Sequence, residues 1–176
     1  MTTRILVVIG HPFAGSLQHS LAAAYAASAT ENGADVDVID LAVDPLPAFP
    51  RSRNEVRAPR TADDHQPAPE IADYARRIRE ADHIALFYPQ WWGTYPAVLK
   101  HFFDMTLLSG DAYTYGSRSD NWVRGLKGRT ARIVHTSDSP TWFSRLVYRN
   151  ASIASVKTAT LWYCGIKTVK VHHFGE

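Results

Sequence analysis

The chain has 176 residues, of which 45% are hydrophobic and 20% charged, a composition typical of a folded globular protein. Its 19 basic and 17 acidic side chains give a net charge of +2, which provides no basis for a nucleic-acid surface. A single cysteine, Cys164, excludes an internal disulfide framework, and no apolar run approaches the ~20 residues that span a bilayer. We therefore expect no nucleic-acid partner, no membrane insertion and, without a signal-peptide pattern, a cytoplasmic location.

Strand and helix patterns alternate along most of the chain. The continuous β-branched run at 5–9 is typical of a strand that is covered on both faces. Further strands are predicted at 36–41, 82–88, 130–136 and 167–173, the last with Val169 and Val171 on one face. Helical spacing predicts helices from Leu17 to a C-cap at Asn32–Gly33 and over 69–80, 95–108 and 148–163. The proline- and arginine-rich stretch 44–66 shows little periodicity and is interpreted as a long surface loop.

This alternation predicts one α/β domain over residues 1–176, built on a doubly wound five-stranded parallel sheet of strand order 2-1-3-4-5. Ligands bind such sheets at the carboxyl ends of the strands, where the order reverses. Three loops are expected to meet there, at 10–18, 89–95 and 136–143.

The first loop joins the first strand to the first helix. A helix N-terminus presents free backbone N–H groups and a positive dipole end, so it is suited to bind a phosphate. Ser16 can cap the helix or bind a phosphate oxygen, and His11 adds a donor. The Walker and dinucleotide glycine patterns are missing, and simple helix capping by Ser16 is an equally good interpretation.

The second loop carries flat side chains and backbone donors at the end of a buried strand. Pro89, Gln90, Trp91, Trp92 and Gly93 follow one another there. Two adjacent tryptophans alone would more often be core residues. Their place beside the first loop favours a bed for a planar heterocycle.

The third loop, which includes Thr136, Ser137 and Asp138, offers hydroxyl, carboxylate and backbone groups that can bind the polar edge of a ring. An ordinary turn into the next helix is the simpler interpretation of these residues taken alone.

The three loops together resemble the NAD(P)H:quinone oxidoreductases of flavodoxin-like fold, the DT-diaphorase type and its shorter bacterial relatives. The resemblance covers nearly the whole chain in order. It rests on Gly10-His11-Pro12 with Ser16, on Tyr88-Pro89-Gln90-Trp91-Trp92, on Pro96-Ala97-x-Leu99-Lys100 and on Ala112-Tyr113-Thr114-Tyr115.

The resemblance implies a site for a flavin. It would place His11, Ser16, Leu17 and Gln18 on the flavin phosphate and ribityl chain. It would place Pro89, Gln90, Trp91, Trp92 and Gly93 along the isoalloxazine, partly through backbone amides, and Thr136, Ser137 and Asp138 at its pyrimidine edge. Tyr113 and Tyr115 would be the catalytic pair that positions the acceptor. Two features differ from the family: Asp138 stands where a glycine-rich run is common, and the sequence ends directly after the fifth strand.

The implied activity is ping-pong transfer of hydride from NAD(P)H through FMN, or alternatively FAD, to a quinone-like acceptor, within a homodimer. No metal is required, and His172 and His173 would point to opposite faces of a strand rather than share an ion. The alternatives are a flavoprotein subunit that regulates a membrane transporter, a one-electron carrier, and an azo or nitro reductase. Cys164 is expected to be a buried, inert thiol.

Overall fold

The computed structural model describes residues 2–116 and 122–175. Five strands are long: β1 (Arg4–Ile9), β2 (Asp35–Asp40), β3 (His83–Pro89), β6 (Thr130–Thr136) and β7 (Lys167–Phe174). Two short strands, β4 (Tyr113–Tyr115) and β5 (Trp122–Arg124), lie between β3 and β6 in the chain. The helices are α1 (Leu17–Glu31), α2 (Pro69–Glu80), α3 (Ala97–Thr106), α4 (Thr141–Leu146), α5 (Ala151–Ala154) and a π-helix (Ser155–Trp162), with a 3₁₀ turn at Arg53–Val56.

The five long strands form one parallel sheet in the order β2-β1-β3-β6-β7. The predicted α/β fold with a five-stranded parallel sheet is therefore confirmed. The predicted order 2-1-3-4-5 did not count β4 and β5, which pair antiparallel with each other in a separate two-stranded sheet. The order reverses between β1 and β3, so the loops that follow these strands lie at the switch point.

Helices cover both faces of the sheet, and each face has its own core. On one face, side chains such as Leu86 and Ile133 pack against α2, α3 and the π-helix. On the other face, Val7 and Phe87 pack against α1. Successive residues of β1 and β3 thus alternate between two cores, which explains why these strands are apolar without interruption.

The carboxyl-terminal third departs from prediction in three places. The helix predicted over 148–163 begins only at Ala151, and from Ser155 it continues as a π-helix. The predicted third loop, 136–143, already contains the start of α4 at Thr141. The expectation that Val169 and Val171 share a face is wrong, because an irregularity in the β6–β7 register at this point interrupts the alternation.

The loop over 44–66 is fixed at several points. The Tyr74 hydroxyl donates to the Pro45 carbonyl over 3.0 Å, and the His101 Nε2 atom lies 2.8 Å from the Pro47 carbonyl oxygen. The Ala58 N–H donates to the Ser109 carbonyl over 2.9 Å. The loop is thereby held against α2, α3 and the segment that leads to β4. Among the helices of the described residues, none is long and apolar enough to cross a membrane.

Candidate functional site

Three loops at the carboxyl edge of the sheet are tied together by hydrogen bonds. The side-chain amide of Gln18 donates to the Thr136 hydroxyl over 2.7 Å, and the Gln90 N–H donates to the Thr136 carbonyl over 2.7 Å. Gln18 is 1% exposed and Thr136 is half-buried, so the first of these bonds lies at the edge of the core. Thr136 thus joins the first, second and third predicted loops.

The first loop ends at the N-terminus of α1, where Ser16 is already engaged by a neighbour. Its backbone N–H and its hydroxyl oxygen lie 3.2 and 2.7 Å from the Nδ1 atom of His19. The other ring nitrogen, Nε2, lies 3.1 Å from an oxygen of Asp40. Because a carboxylate only accepts, that nitrogen carries a proton towards Asp40. The Ser16 hydroxyl therefore serves the local structure, whereas the first-turn N–H groups of Leu17 and Gln18 have no carbonyl one turn earlier to bind.

His11 and Phe13 bring the first loop into contact with the second. The Nδ1 atom of His11 lies within 3.1 Å of the Phe13 backbone nitrogen and oxygen. The ring centroid of Trp91 lies 5.7 Å from that of His11 and 5.9 Å from that of Phe13. Trp91 therefore packs against the first loop with its ring tilted.

Trp92 occupies the tip of a tight turn in the second loop. Trp91 and Thr94 exchange backbone hydrogen bonds of 2.8 and 2.9 Å around Trp92 and Gly93, whose φ angles are +49° and +74°. Positive φ at both central positions is typical of a type I′ turn, a conformation that costs a bulky residue about 1–2 kcal/mol. The Trp92 side chain is fully exposed. A strained conformation that holds a large aromatic ring in water indicates a contact surface.

The third loop is partly occupied by the chain's own carboxyl-terminal strand. The Ser137 N–H donates to the Phe174 carbonyl over 2.8 Å, and the Ser137 hydroxyl donates to the Ser139 carbonyl over 2.9 Å. The Nε2 atom of His173 lies 3.0 Å from the same hydroxyl oxygen. The backbone donor that we expected at Ser137 is thus already paired inside the chain. Asp138 is exposed beside it.

A row of polar side chains crosses the sheet directly below these loops. Tyr88, His135 and His173 are register partners on β3, β6 and β7, and the ring centroid of His135 lies 5.2 Å from that of Tyr88 and 4.7 Å from that of His173. His135 is 1% exposed, and neither ring nitrogen has a partner among the described residues. Burial, together with the nearby His173, lowers the pKa of His135 to about 4, so it is neutral at pH 7.

Tyr113 and Tyr115 lie in the β4–β5 sheet, and both contact Tyr163 at the end of the π-helix. The Tyr115 and Tyr163 hydroxyl oxygens are 2.6 Å apart, and the rings of Tyr113 and Tyr163 are 5.1 Å apart. The Tyr115 hydroxyl raises the pKa of Tyr163 to about 12. Tyr113 and Tyr163 line a groove of about 510 Å³ beside α3, with buried Cys164, whose pKa burial raises to about 11. The same groove is lined by Tyr95, at the end of the second predicted loop.

The sequence interpretation missed four residues that shape the site: His19, Asp40, His173 and Tyr148. Ser16 and His19 have the three-residue spacing of a capping box, which was an available signal. Tyr148 follows α4 and lies against Gly93, where a Cβ atom would be 3.5 Å from its ring. No sequence signal indicated that contact, because it depends on where α4 turns.

The arrangement offers donors for an anion at one end and aromatic surface at the other. The first-turn N–H groups of α1 and the dipole of a 15-residue helix suit a phosphate. Phe13 and Leu17 beside the start of α1, and Trp92 in the second loop, are exposed and suit a planar organic group. No cluster of histidine, cysteine or carboxylate side chains in the described ranges could hold a metal ion.

The sequence matches the family described by its flavodoxin-like fold over residues 3–176. It is 32% identical over 147 residues to the FMN-dependent NADH:quinone oxidoreductase of Ruegeria pomeroyi, an alignment that covers 77% of this chain and 70% of that protein. It is 27% identical over 106 residues to human ribosyldihydronicotinamide dehydrogenase [quinone], covering 58% of this chain and 45% of that protein. The chain thus spans less than half of the human relative.

Solved structures show the same fold at lower identity. A putative quinone reductase from Klebsiella pneumoniae superposes with a TM-score of 0.83 at 20% identity, covering 99% of this chain and 76% of that one. An FMN-dependent NADH-azoreductase from Bacillus anthracis, solved with FMN, gives a TM-score of 0.78 at 16% identity, covering 98% and 86%. With the sequence match over residues 3–176, this chain belongs to the flavodoxin-like fold family that includes the NAD(P)H:quinone oxidoreductases.

Proposed function

We propose that this chain is a flavin-dependent NAD(P)H oxidoreductase that transfers hydride from reduced nicotinamide through FMN to a quinone-like acceptor. The observation that carries the proposal is the joining of three loops through Thr136, which places a helix N-terminus beside an exposed aromatic turn at the switch point of the sheet. The name of the Ruegeria relative, an FMN-dependent NADH:quinone oxidoreductase, supports the same cofactor and acceptor class.

The residues present fit a flavin mononucleotide. The N–H groups of Leu17 and Gln18 would bind the phosphate, with His11 and Ser16 shaping the loop around it. The segment Pro89 to Gly93 would lie along the ring, with Trp92 providing the uncovered aromatic surface. Thr136 and Asp138 would lie at the polar edge of the ring, and Ser137 would support that loop through its bonds to Phe174 and Ser139. When bound, the flavin supplies the two-electron chemistry that no side chain here provides.

We propose a homodimer as the working form, with residues 1–176 of each copy as one flavin-binding domain and a cytoplasmic location. Within this proposal Tyr113 and Tyr115 position the acceptor, and a second copy completes the pocket around it. Tyr115 is 58% exposed and can reach a second copy. Sedimentation velocity tests the dimer, and Tyr115→Phe, which keeps the ring, tests the hydroxyl separately from assembly.

The decisive experiment is to purify the protein, record its absorbance, and titrate the apoprotein with FMN and FAD. We expect a flavin spectrum, tighter binding of FMN, bleaching by NADH or NADPH, and recovery of the colour on adding a short-chain quinone. A protein that takes up neither flavin would overturn the proposal. If the protein binds flavin but neither nicotinamide bleaches it, the proposed oxidoreductase activity is contradicted and only flavin binding is supported.

A further inference from the structure

A second pocket lies away from the three loops, between the π-helix and the start of β7. It has a volume of about 300 Å³, and its lining includes Arg124, Lys157 and Lys167 without any acidic side chain. These three cations form no ion pair with the residues that the structure describes. Residues 122–175 carry nine basic side chains and one acidic, Asp138, so this part of the chain has a positive net charge. Such a pocket attracts anions.

The π-helix is what places a cation beside an aromatic ring in this pocket. Lys157 and Trp162 are five residues apart, which in an α-helix of about 3.6 residues per turn would put them on different faces. The i→i+5 bonding of a π-helix, with about 4.4 residues per turn, brings them onto the same face. Thr158, four residues before Trp162, lies on that face too, and all three line the pocket. Single π-helical turns are frequently associated with functional sites.

Arg124 is held over the same tryptophan. Its guanidinium carbon lies 3.9 Å from the centre of a Trp162 ring and 5.0 Å from that of Trp122. The Leu126 N–H donates to the Cys164 carbonyl over 2.9 Å, which fixes β5 to the end of the helix. Gly165 permits this approach, because a Cβ there would be 2.9 Å from the Arg124 Cβ. A guanidinium in a cation–π contact still has N–H donors that can bind an anion.

The polar groups of the lining indicate the kind of anion. The Thr168 hydroxyl is buried without a partner among the described residues, and Thr158 adds a second hydroxyl. Trp162 is 47% exposed, so part of its ring is open to a ligand. We propose that this pocket binds a small phosphorylated ligand with a planar ring, of the nucleotide class. The three cations bind the phosphate and Trp162 packs against the ring. A volume of about 300 Å³ suits a mononucleotide.

The test is isothermal titration of ADP, pyrophosphate and adenosine into the full-length protein, preincubated with excess FMN so that any flavin site is filled. We expect ADP to bind more tightly than pyrophosphate and much more tightly than adenosine. Lys157→Gln and Lys167→Gln should each weaken ADP binding about tenfold, the loss of one charge-assisted hydrogen bond. Lys170→Gln is the matched control, because Lys170 lies on the same strand outside the pocket lining and should change the affinity little.

Each other result contradicts the proposal. If ADP does not bind, or if its affinity is the same in all four proteins, the pocket is not the site. If Lys170→Gln weakens binding as much as the pocket variants, the effect is one of general surface charge. If pyrophosphate binds as tightly as ADP and Trp162→Leu has no effect, the ring contact is wrong. The titration does not depend on the proposed redox activity, so either proposal can fail without the other.

Discussion

The buried side-chain amide of Gln18 donates to the hydroxyl of Thr136 over 2.7 Å, across a separation of 118 residues in the chain. This bond connects the first turn of α1 with the end of β6. The Gln18 carbonyl oxygen, in contrast, is buried without a partner among the described residues. The NH₂ group of the Gln18 amide therefore has a partner and stabilises the fold, whereas its unpaired carbonyl oxygen destabilises it.

This asymmetry predicts an unequal response to removing either partner. Thr136→Val leaves the whole Gln18 amide buried and unpaired, and should lower the free energy of unfolding by about 1–3 kcal/mol. Gln18→Leu removes the orphaned carbonyl together with the bond and should be nearly neutral. In the double variant the buried amide is gone, so most of the loss caused by Thr136→Val should be recovered. Urea unfolding measures all three, and a double variant whose loss equals or exceeds that of Thr136→Val would contradict the argument.

The strained, exposed conformation of Trp92 predicts that replacing this residue raises stability but weakens flavin binding. Trp92→Asn gives the Asn-Gly pair that type I′ turns favour and relieves the left-handed strain, so the protein should gain about 1 kcal/mol. The same change removes the exposed ring, and flavin retention should fall strongly. Trp142→Asn is the control, because Trp142 is also exposed but starts an ordinary helix turn. Equal flavin affinity in wild type and Trp92→Asn would show that this ring does not contact the cofactor.

Most of the fold could be predicted because its signals are local. The continuous apolar runs of β1 and β3 follow from burial on both faces, and Pro69 marks the start of α2. The strands β4 and β5 could not be predicted, since three residues each are too few to show a period. The π-helix could not be predicted from the sequence either. Its first residues fit an α-helical pattern, and its packing against β7 joins parts of the chain that no local pattern connects.

The position of the site in the fold could be predicted from the sequence better than the contacts of its side chains. The loops were found because parallel strands end at one edge, and Thr136 does join them. The three-residue spacing of Ser16 and His19 was a local signal for their contact. The bond from Ser137 to Phe174 could not be predicted, because Phe174 belongs to another strand. The same holds for Tyr113 and Tyr115, whose contacts with Tyr163 depend on a distant part of the chain.

The His19 ring, placed between Ser16 and Asp40, predicts a stabilising role for a residue outside the expected site. His19→Leu should leave the Asp40 carboxylate with only its bond from the Ala42 N–H and should free the first loop, at a cost of about 1–2 kcal/mol of stability. It should also weaken FMN binding, because the loop before α1 loses its fixed shape. His65→Leu, in the exposed 44–66 loop, is the control. Unchanged FMN affinity in a destabilised His19→Leu protein would limit His19 to a structural role.

The lowered pKa of buried His135 predicts how the free energy of unfolding depends on pH. In the folded protein it binds a proton only near pH 4, whereas in the unfolded chain it does so near its ordinary pKa of 6.5. Between these values the unfolded state binds more protons, so the free energy of unfolding falls as the pH drops from 6.5 to 4 and the contribution levels off below. The loss from this residue should be about 3 kcal/mol.

His135→Leu separates this effect from the other acid-sensitive groups. The variant has no proton to bind at this position, so its unfolding free energy should decline much less than that of the wild type between pH 6.5 and 4. The burial of His173 also lowers its pKa, so part of the acid-dependent loss should remain. His65→Gln should keep the wild-type slope. Urea unfolding at three pH values in this window measures the slopes, and parallel curves for wild type and His135→Leu would mean that a bound water or a shift of the ring satisfies the charged imidazole.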